Sequence, residues 1–206
     1  MTAQSTESDS YLLWIDGVGT WQVCAGTRCQ IGAPSQEIVP ADICLMAQIS
    51  RRHATLERID ENWFIRPHAA TVLSGKPISD RSLLRSGDEI VLADRVRLGF
   101  RIPNVLSGSA VIDFESQHRP PRTVDGIILM SDSCLMGPRA DHHICCPDWT
   151  GHIVLFRQDG LLRCRSEMSL KFDGTGFSEP GVLRDGTVVS GEDLRFRVER
   201  SVRRIH

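Results

Sequence analysis

The chain has 206 residues, 41% hydrophobic and 24% charged, with a formal net charge of −2, which suits one globular domain or two small ones of roughly 100 residues. No apolar run approaches the ~20 residues a membrane-spanning helix needs, and residues 1–10 (MTAQSTESDS) lack the basic start and apolar core of a secretory signal. The near-neutral charge supplies no basic field for nucleic acid, so the expectation is a cytoplasmic protein that engages neither membrane nor nucleic acid. Within that balance only Lys76 and Lys171 are lysines, and the other 22 of the 24 basic residues are arginine, the side chain suited to bidentate contact with phosphate or carboxylate.

Taken in order, the chain reads as short strands separated by turns. Residues 1–10 are expected as a flexible tail. Strand candidates follow at 11–15 and 20–24, at 53–59 and 62–66, and at 89–92. In Arg95-Val96-Arg97-Leu98-Gly99-Phe100-Arg101-Ile102 the apolar residues take every second place, as one buried strand face requires. Further candidates lie at 124–130, 152–157 and 161–165, and Leu194-Arg195-Phe196-Arg197-Val198-Glu199 repeats the alternation. Asp16-Gly17, Ser74-Gly75, Ser86-Gly87, Asp159-Gly160, Asp173-Gly174 and Asp185-Gly186 supply turns between them. Helical periodicity is scarce and no strand–helix–strand alternation appears, so the pattern is all-β. The seven cysteines are odd in number, irregularly spaced and mostly set in apolar runs, which points to reduced thiols acting as small core residues.

An internal repeat organises this pattern. His53 and His152, Gly75 and Gly174, and Gly87 and Gly186 are each 99 positions apart, and Leu84-Arg85-Ser86-Gly87 meets Leu183-Arg184-Asp185-Gly186 in the same register. Pro103, Ser107-Gly108-Ser109 and His118-Arg119-Pro120-Pro121-Arg122 break the pattern, which marks 103–122 as a linker between a unit at 11–102 and one at 123–206, with Val111-Ile112-Asp113-Phe114 as a candidate short packed segment inside it.

Ile31-Gly32, Ala41-Asp42-Ile43-Cys44-Leu45, Ile49-Ser50-Arg51-Arg52-His53-Ala54, Glu61-Asn62-Trp63-Phe64-Ile65, Ser74-Gly75-Lys76-Pro77-Ile78 and Leu83-Leu84-Arg85-Ser86-Gly87-Asp88-Glu89-Ile90 together resemble the forkhead-associated (FHA) domain. The resemblance implies two tandem FHA-like β-sandwich domains, the second degenerate, and an interaction module rather than an enzyme. The family's usual ligand is a phosphothreonine peptide, so the expected partner is a protein or phosphoprotein, in signalling, with no cofactor and no metal.

The same resemblance singles out the candidate site. A phosphate dianion needs convergent donors on preorganised loops, and the family supplies an Arg after the Ile-Gly turn, a Ser opening Ser-x-x-His, an Asn-Gly-Thr turn and a second Asn-Gly. Here Ser50 and His53 stand as the family requires, but Ala33 takes the Arg position, Ala69-Ala70-Thr71 the Asn-Gly-Thr and Ser74 the second Asn. Ser50, Arg51, Ser74 and Lys76 are therefore the candidate phosphopeptide contacts, with Arg28 and Arg52 nearby, and Gly32, His53 and Gly75 are expected to brace the loops. In the second unit Pro138 falls at the Arg position, Trp149 at the Ser position, Met168 at the first Asn and Asp173 at the second, where its charge would repel phosphate. Trp149 is there a candidate anchor for an apolar partner. These losses set a second reading beside the first: a phosphate-independent scaffold or dimerisation protein.

Other chemistries are weaker. His142-His143-Ile144-Cys145-Cys146 holds metal-ligand types, but neighbours on a strand diverge and a tetrahedral zinc needs four ligands on one point. No Gly-x-Ser-x-Gly elbow and no glycine-rich phosphate loop occurs.

Overall fold

A computed structural model describes residues 9–35, 41–176 and 180–201. Residues 1–8 of the expected tail lie outside the described residues, while Asp9 and Ser10 already open the first strand. The strands are β1 (Asp9–Ile15), β2 (Gly19–Ala25), β3 (Arg28–Gly32), β4 (Ile43–Cys44), β5 (Ala54–Ile59), β6 (Asn62–Pro67), β7 (Thr71–Leu73), β8 (Lys76–Ile78), β9 (Ser82–Leu83), β10 (Asp88–Leu92) and β11 (Val96–Arg101). A second series follows: β12 (Ala110–Phe114), β13 (Gly126–Met130), β14 (Ser133–Gly137), β15 (Ile144–Cys145), β16 (Ile153–Gln158), β17 (Leu161–Ser166), β18 (Lys171–Phe172), β19 (Thr175–Gly176), β20 (Gly181–Val182), β21 (Val188–Ser190) and β22 (Arg195–Ser201). The fold is all-β, and no helix among the described residues is long and apolar enough to cross a membrane.

Three sheets carry these strands. A 12-stranded sheet runs β19-β18-β21-β22-β1-β2-β13-β12-β11-β10-β7-β8, and two five-stranded sheets run β4-β3-β5-β6-β9 and β15-β14-β16-β17-β20. The two small sheets have the same connectivity, strand for strand, as the repeat implies. The long sheet is symmetric about its centre, where β2 and β13 pair in parallel from Trp21↔Gly126 to Ala25↔Met130.

Burial shows how the layers stack. Leu12, Cys24, Ala110, Ile112, Ile127 and Leu129 belong to a core with β3, β5, β6 and β11, centred on Trp63, Ile65 and Phe100. Their alternating neighbours Tyr11, Leu13, Val23, Val111, Ile128 and Met130 belong to a second core with β14, β16, β17 and β22. Successive side chains of a strand point to opposite faces, so the small sheets cover opposite faces of the long one and the central strands are covered on both. That is why β13 is buried at all five positions and reads as a continuous apolar run.

The pairing also exchanges hairpins between the units. β11 of the first unit pairs with β12, and β22 of the second pairs with β1. Each series of strands thus completes its half of the long sheet with the opening hairpin of the other series. The stretch expected as a linker, 103–122, is part of this architecture. It contains the 3-10 turn Val105–Ser107 and β12, and the buried Trp63 indole donates to the Gly108 carbonyl at 2.9 Å. Its glycines and prolines turn the chain at the sheet ends, while Ala110-Val111-Ile112 supplies apolar side chains to both cores.

Candidate functional site

The Ser-x-x-His block sits on the loop between β4 and β5, and His53 ties three loops together. Its Nδ1 accepts the Ser50 amide at 3.3 Å and its Nε2–H donates to the Ala70 carbonyl at 2.9 Å, which fixes the neutral tautomer. Its backbone amide donates to Ile31 O, and its carbonyl accepts from the amides of His68 and Ala69. Burial is the main force lowering the His53 pKa, so the ring stays neutral and acts as a brace. Ser50, Arg51 and Arg52 stand exposed beside it.

Gly32 is required by close approach. A Cβ there would lie 1.8 Å from the Arg51 carbonyl oxygen, and Ala33 N donates to Ser50 O at 3.0 Å. The Ile-Gly turn and the Ser50 loop are therefore one rigid unit. At the position after it, Ala33 presents only a methyl. The Ala69-Ala70 turn offers no side-chain donor, and the Thr71 hydroxyl is spent on Ala69 O at 2.9 Å.

The other candidates do not join this cluster. β7 leaves Ala70 beside His53 and ends at Leu73, so Ser74, Gly75 and Lys76 lie at the opposite end of the sandwich. Leu73↔Lys76 closes a two-residue hairpin with Ser74 and Gly75 at φ 46° and 80°, the left-handed pair a type I′ turn demands. The Ser74 hydroxyl donates to Asp88 Oδ1 at 2.7 Å. Arg28 is also at that far end, 3.7 Å from Glu57. Sequence order made these residues look adjacent to the site because the family's two Asn-Gly positions are close in sequence, yet a three-residue strand separates them. Conversely, the β10–β11 turn brings the exposed Arg95 to the His53 end, since Ala93 N bonds Ala70 O at 3.0 Å. The alternation over 95–102 reads Arg95 as part of a strand; Ala93 and Asp94, both at positive φ, set it in a turn instead, and β11 begins at Val96.

The second unit builds the same loops with other contents. Trp149 is 4% exposed and belongs to the core, which corrects its reading as a surface anchor. Asp173 occupies the hairpin turn at the far end, where its Oδ1 accepts from Val188 N at 2.9 Å, so it does not face the loop that corresponds to Ser50. Arg139, one place after the family Arg position, is held bidentately by Asp141 at 2.8 and 2.9 Å. The His/Cys run disperses: His143 is buried against Ser107 Oγ and Leu135 N, whereas Cys145 is exposed. No group of three metal-ligating side chains gathers among the described residues.

The comparisons agree with the first unit. The family model described as FHA domain matches residues 29–93. Residues 29–93 form an FHA domain. The chain is also similar to the FHA structure of Rv0020c, at 24% identity over 44% of this chain and 91% of that one, with a TM-score of 0.29. A second similar structure is the N-terminal FHA domain of EssC, a component of the bacterial Type VII secretion apparatus, at 13% identity over 92% of each chain, with a TM-score of 0.25. No curated protein matches the chain. FHA domains are protein–protein interaction modules, typically for phosphothreonine and generally without catalysis, so the protein carries a module for binding partner proteins.

Proposed function

We propose that the FHA domain binds an anionic, phosphothreonine-bearing segment of a partner protein at the His53 end, through Ser50 and Arg51, in a reducing cytoplasmic setting. The observation that carries this reading is the His53 brace, which holds an exposed Ser50 and Arg51 on a loop locked to Gly32. Preorganised donors of this kind lose little freedom on binding. Buried thiols such as Cys24, Cys29, Cys134 and Cys164 support the reducing setting.

Ala33 makes the site weaker than a full complement of donors would. A hydrogen bond to a charged group contributes about 1.5–3 kcal/mol, so one missing arginine costs roughly ten- to a hundredfold in affinity. The methyls of Ala33, Ala69 and Ala70 favour a second reading, a partner bound without phosphate. Fluorescence anisotropy with a threonine-phosphorylated peptide library and its unphosphorylated twin separates the two. The first reading requires a phosphate preference that Ser50→Ala or Arg51→Ala reduces by about tenfold. Equal binding of both libraries, unchanged by either substitution, selects the second.

A further inference from the structure

The two sets of loops face the same way. β22 begins beside the β1–β2 turn, with Phe196↔Ile15 and Ile15↔Gly19, and β2 runs parallel to β13 from Trp21↔Gly126. Asp113 at the close of β12 pairs with that same Gly126, and Phe114 then meets Leu98 near the start of β11. The β10–β11 turn and the β21–β22 turn are therefore at one end of the long sheet. His53 and Ala70 mark that end in the first unit, and the bond from Thr150 N to Asp193 Oδ2 marks it in the second.

Equivalent positions on this surface differ in charge. Arg51, Arg52 and Arg95 are exposed in the first unit, and the positions 99 residues later are Thr150, Gly151 and Leu194. Asp148, Glu167 and Glu192 are exposed in the second unit, and their counterparts are Ile49, His68 and Ala93. The first lobe carries an excess of positive charge, with the exposed Asp94 beside Arg95, and the second an excess of negative charge, with Lys171 and the Arg139–Asp141 pair among its carboxylates, although the backbone is the same. Between the lobes lie the inner edge strands β4 and β15. β4 is placed there by Gln22 of β2 donating to Asp42 O at 2.7 Å, and β15 by Arg101 of β11 donating to His143 O at 3.3 Å. Two residues beyond each edge strand stands an exposed apolar residue, Met46, 58% exposed, and Pro147.

We propose that this surface pairs with a second copy of the chain, end to end, about a two-fold axis. An isologous interface needs one patch complementary to itself. Turning a copy over about an axis between the lobes sets its acidic lobe on the first copy's arginines and its basic lobe on the first copy's carboxylates. The pairing stands independently of phosphopeptide binding; if both occur, the acidic loops of the second copy cover the arginines that a phosphopeptide uses, and peptide and partner copy compete.

Sedimentation equilibrium of the full chain tests the pairing, at about 0.02 M and about 0.5 M salt, between which screening of exposed charges becomes severe. The expected result is a dimer at low salt that weakens at least tenfold at high salt. Arg51→Glu with Arg52→Glu and Arg95→Glu makes both lobes acidic, and Asp148→Lys with Glu167→Lys and Glu192→Lys makes both basic. Each variant is expected to be monomeric alone, and an equimolar mixture to form a heterodimer. The single variants Arg95→Glu and Glu192→Lys, both in exposed turns, repeat the test if a triple variant misfolds. A monomer at low salt, a dimer indifferent to charge reversal, or folded variants that do not associate when mixed would each overturn the proposal.

Discussion

A glycine and a histidine show how single residues set the loop geometry. Gly32 has no room for a methyl against the Arg51 carbonyl, so Gly32→Ala is expected to shift the Ser50 loop and destabilise the protein by about 1–3 kcal/mol, as overpacking does; chemical denaturation measures it. His143 makes a sharper prediction. Its Nε2–H donates to Ser107 Oγ, whose own proton goes to Asn104 O, and its Nδ1 accepts Leu135 N. The Nδ1 contact needs the neutral ring, because a protonated Nδ1 cannot accept the Leu135 amide. Burial first, and the Arg101 charge second, depress its pKa to about 4, against about 6.5 in the unfolded chain. The unfolded state therefore takes up the proton first as pH falls. This contribution is fully present above pH ~6.5 and is lost progressively between pH ~6.5 and ~4, by up to about 3 kcal/mol. Urea midpoints measured across that range should fall in the native protein, and His143→Gln should flatten the slope while lowering stability near pH 7. His143 was visible in the sequence only as one of a cluster of metal-ligand types. Its buried role depends on Ser107, 36 residues away, which no local pattern reveals.

At the scale of strands, alternation was a dependable signal for β11 and β22, where one face meets a core and the other meets solvent. It failed for β12, whose Ala110-Val111-Ile112 run is buried on both faces and carries no alternation to detect, inside a segment rich in turn residues. β13 shows the energetic side of the same situation. Ile128→Ala should destabilise by about 2–5 kcal/mol, and so should Ile127→Ala, although the two point into different cores; denaturation midpoints compare them. For the β7–β8 hairpin the outcome is a separation of effects. Gly75 holds φ +80°, so Gly75→Ala should cost about 1 kcal/mol in stability yet leave ligand affinity at the Ser50 loop unchanged in an anisotropy titration. The family resemblance identified that turn correctly and its location wrongly, because sequence distance does not record which end of a strand a residue occupies.

At the scale of the whole molecule, duplication was legible in the 99-residue offset, and the way the copies share strands was not. A cut at 103–122 follows the repeat but crosses the pairing. Residues 1–102 lack β12 and β13, and residues 123–206 lack β1 and β2, so each fragment leaves β11 or β22 with an open edge and an uncovered apolar core. Expressed alone, each should show no dispersed amide spectrum, whereas residues 1–102 mixed with residues 103–206, which restore β12, should recover one, and the intact chain should unfold in a single transition. The shared strands also govern the order of events during synthesis. Trp14 waits for Glu199, 185 residues later, which at about 5–20 residues per second leaves β1 without its final neighbour for roughly 10 to 40 s. During that interval β11, the counterpart of β22 in the repeat, emerges first and offers β1 the same kind of edge. The nascent chain therefore passes a point where an early, local pairing competes with the late one, and β12 must take the place beside β11 before the final strand arrives.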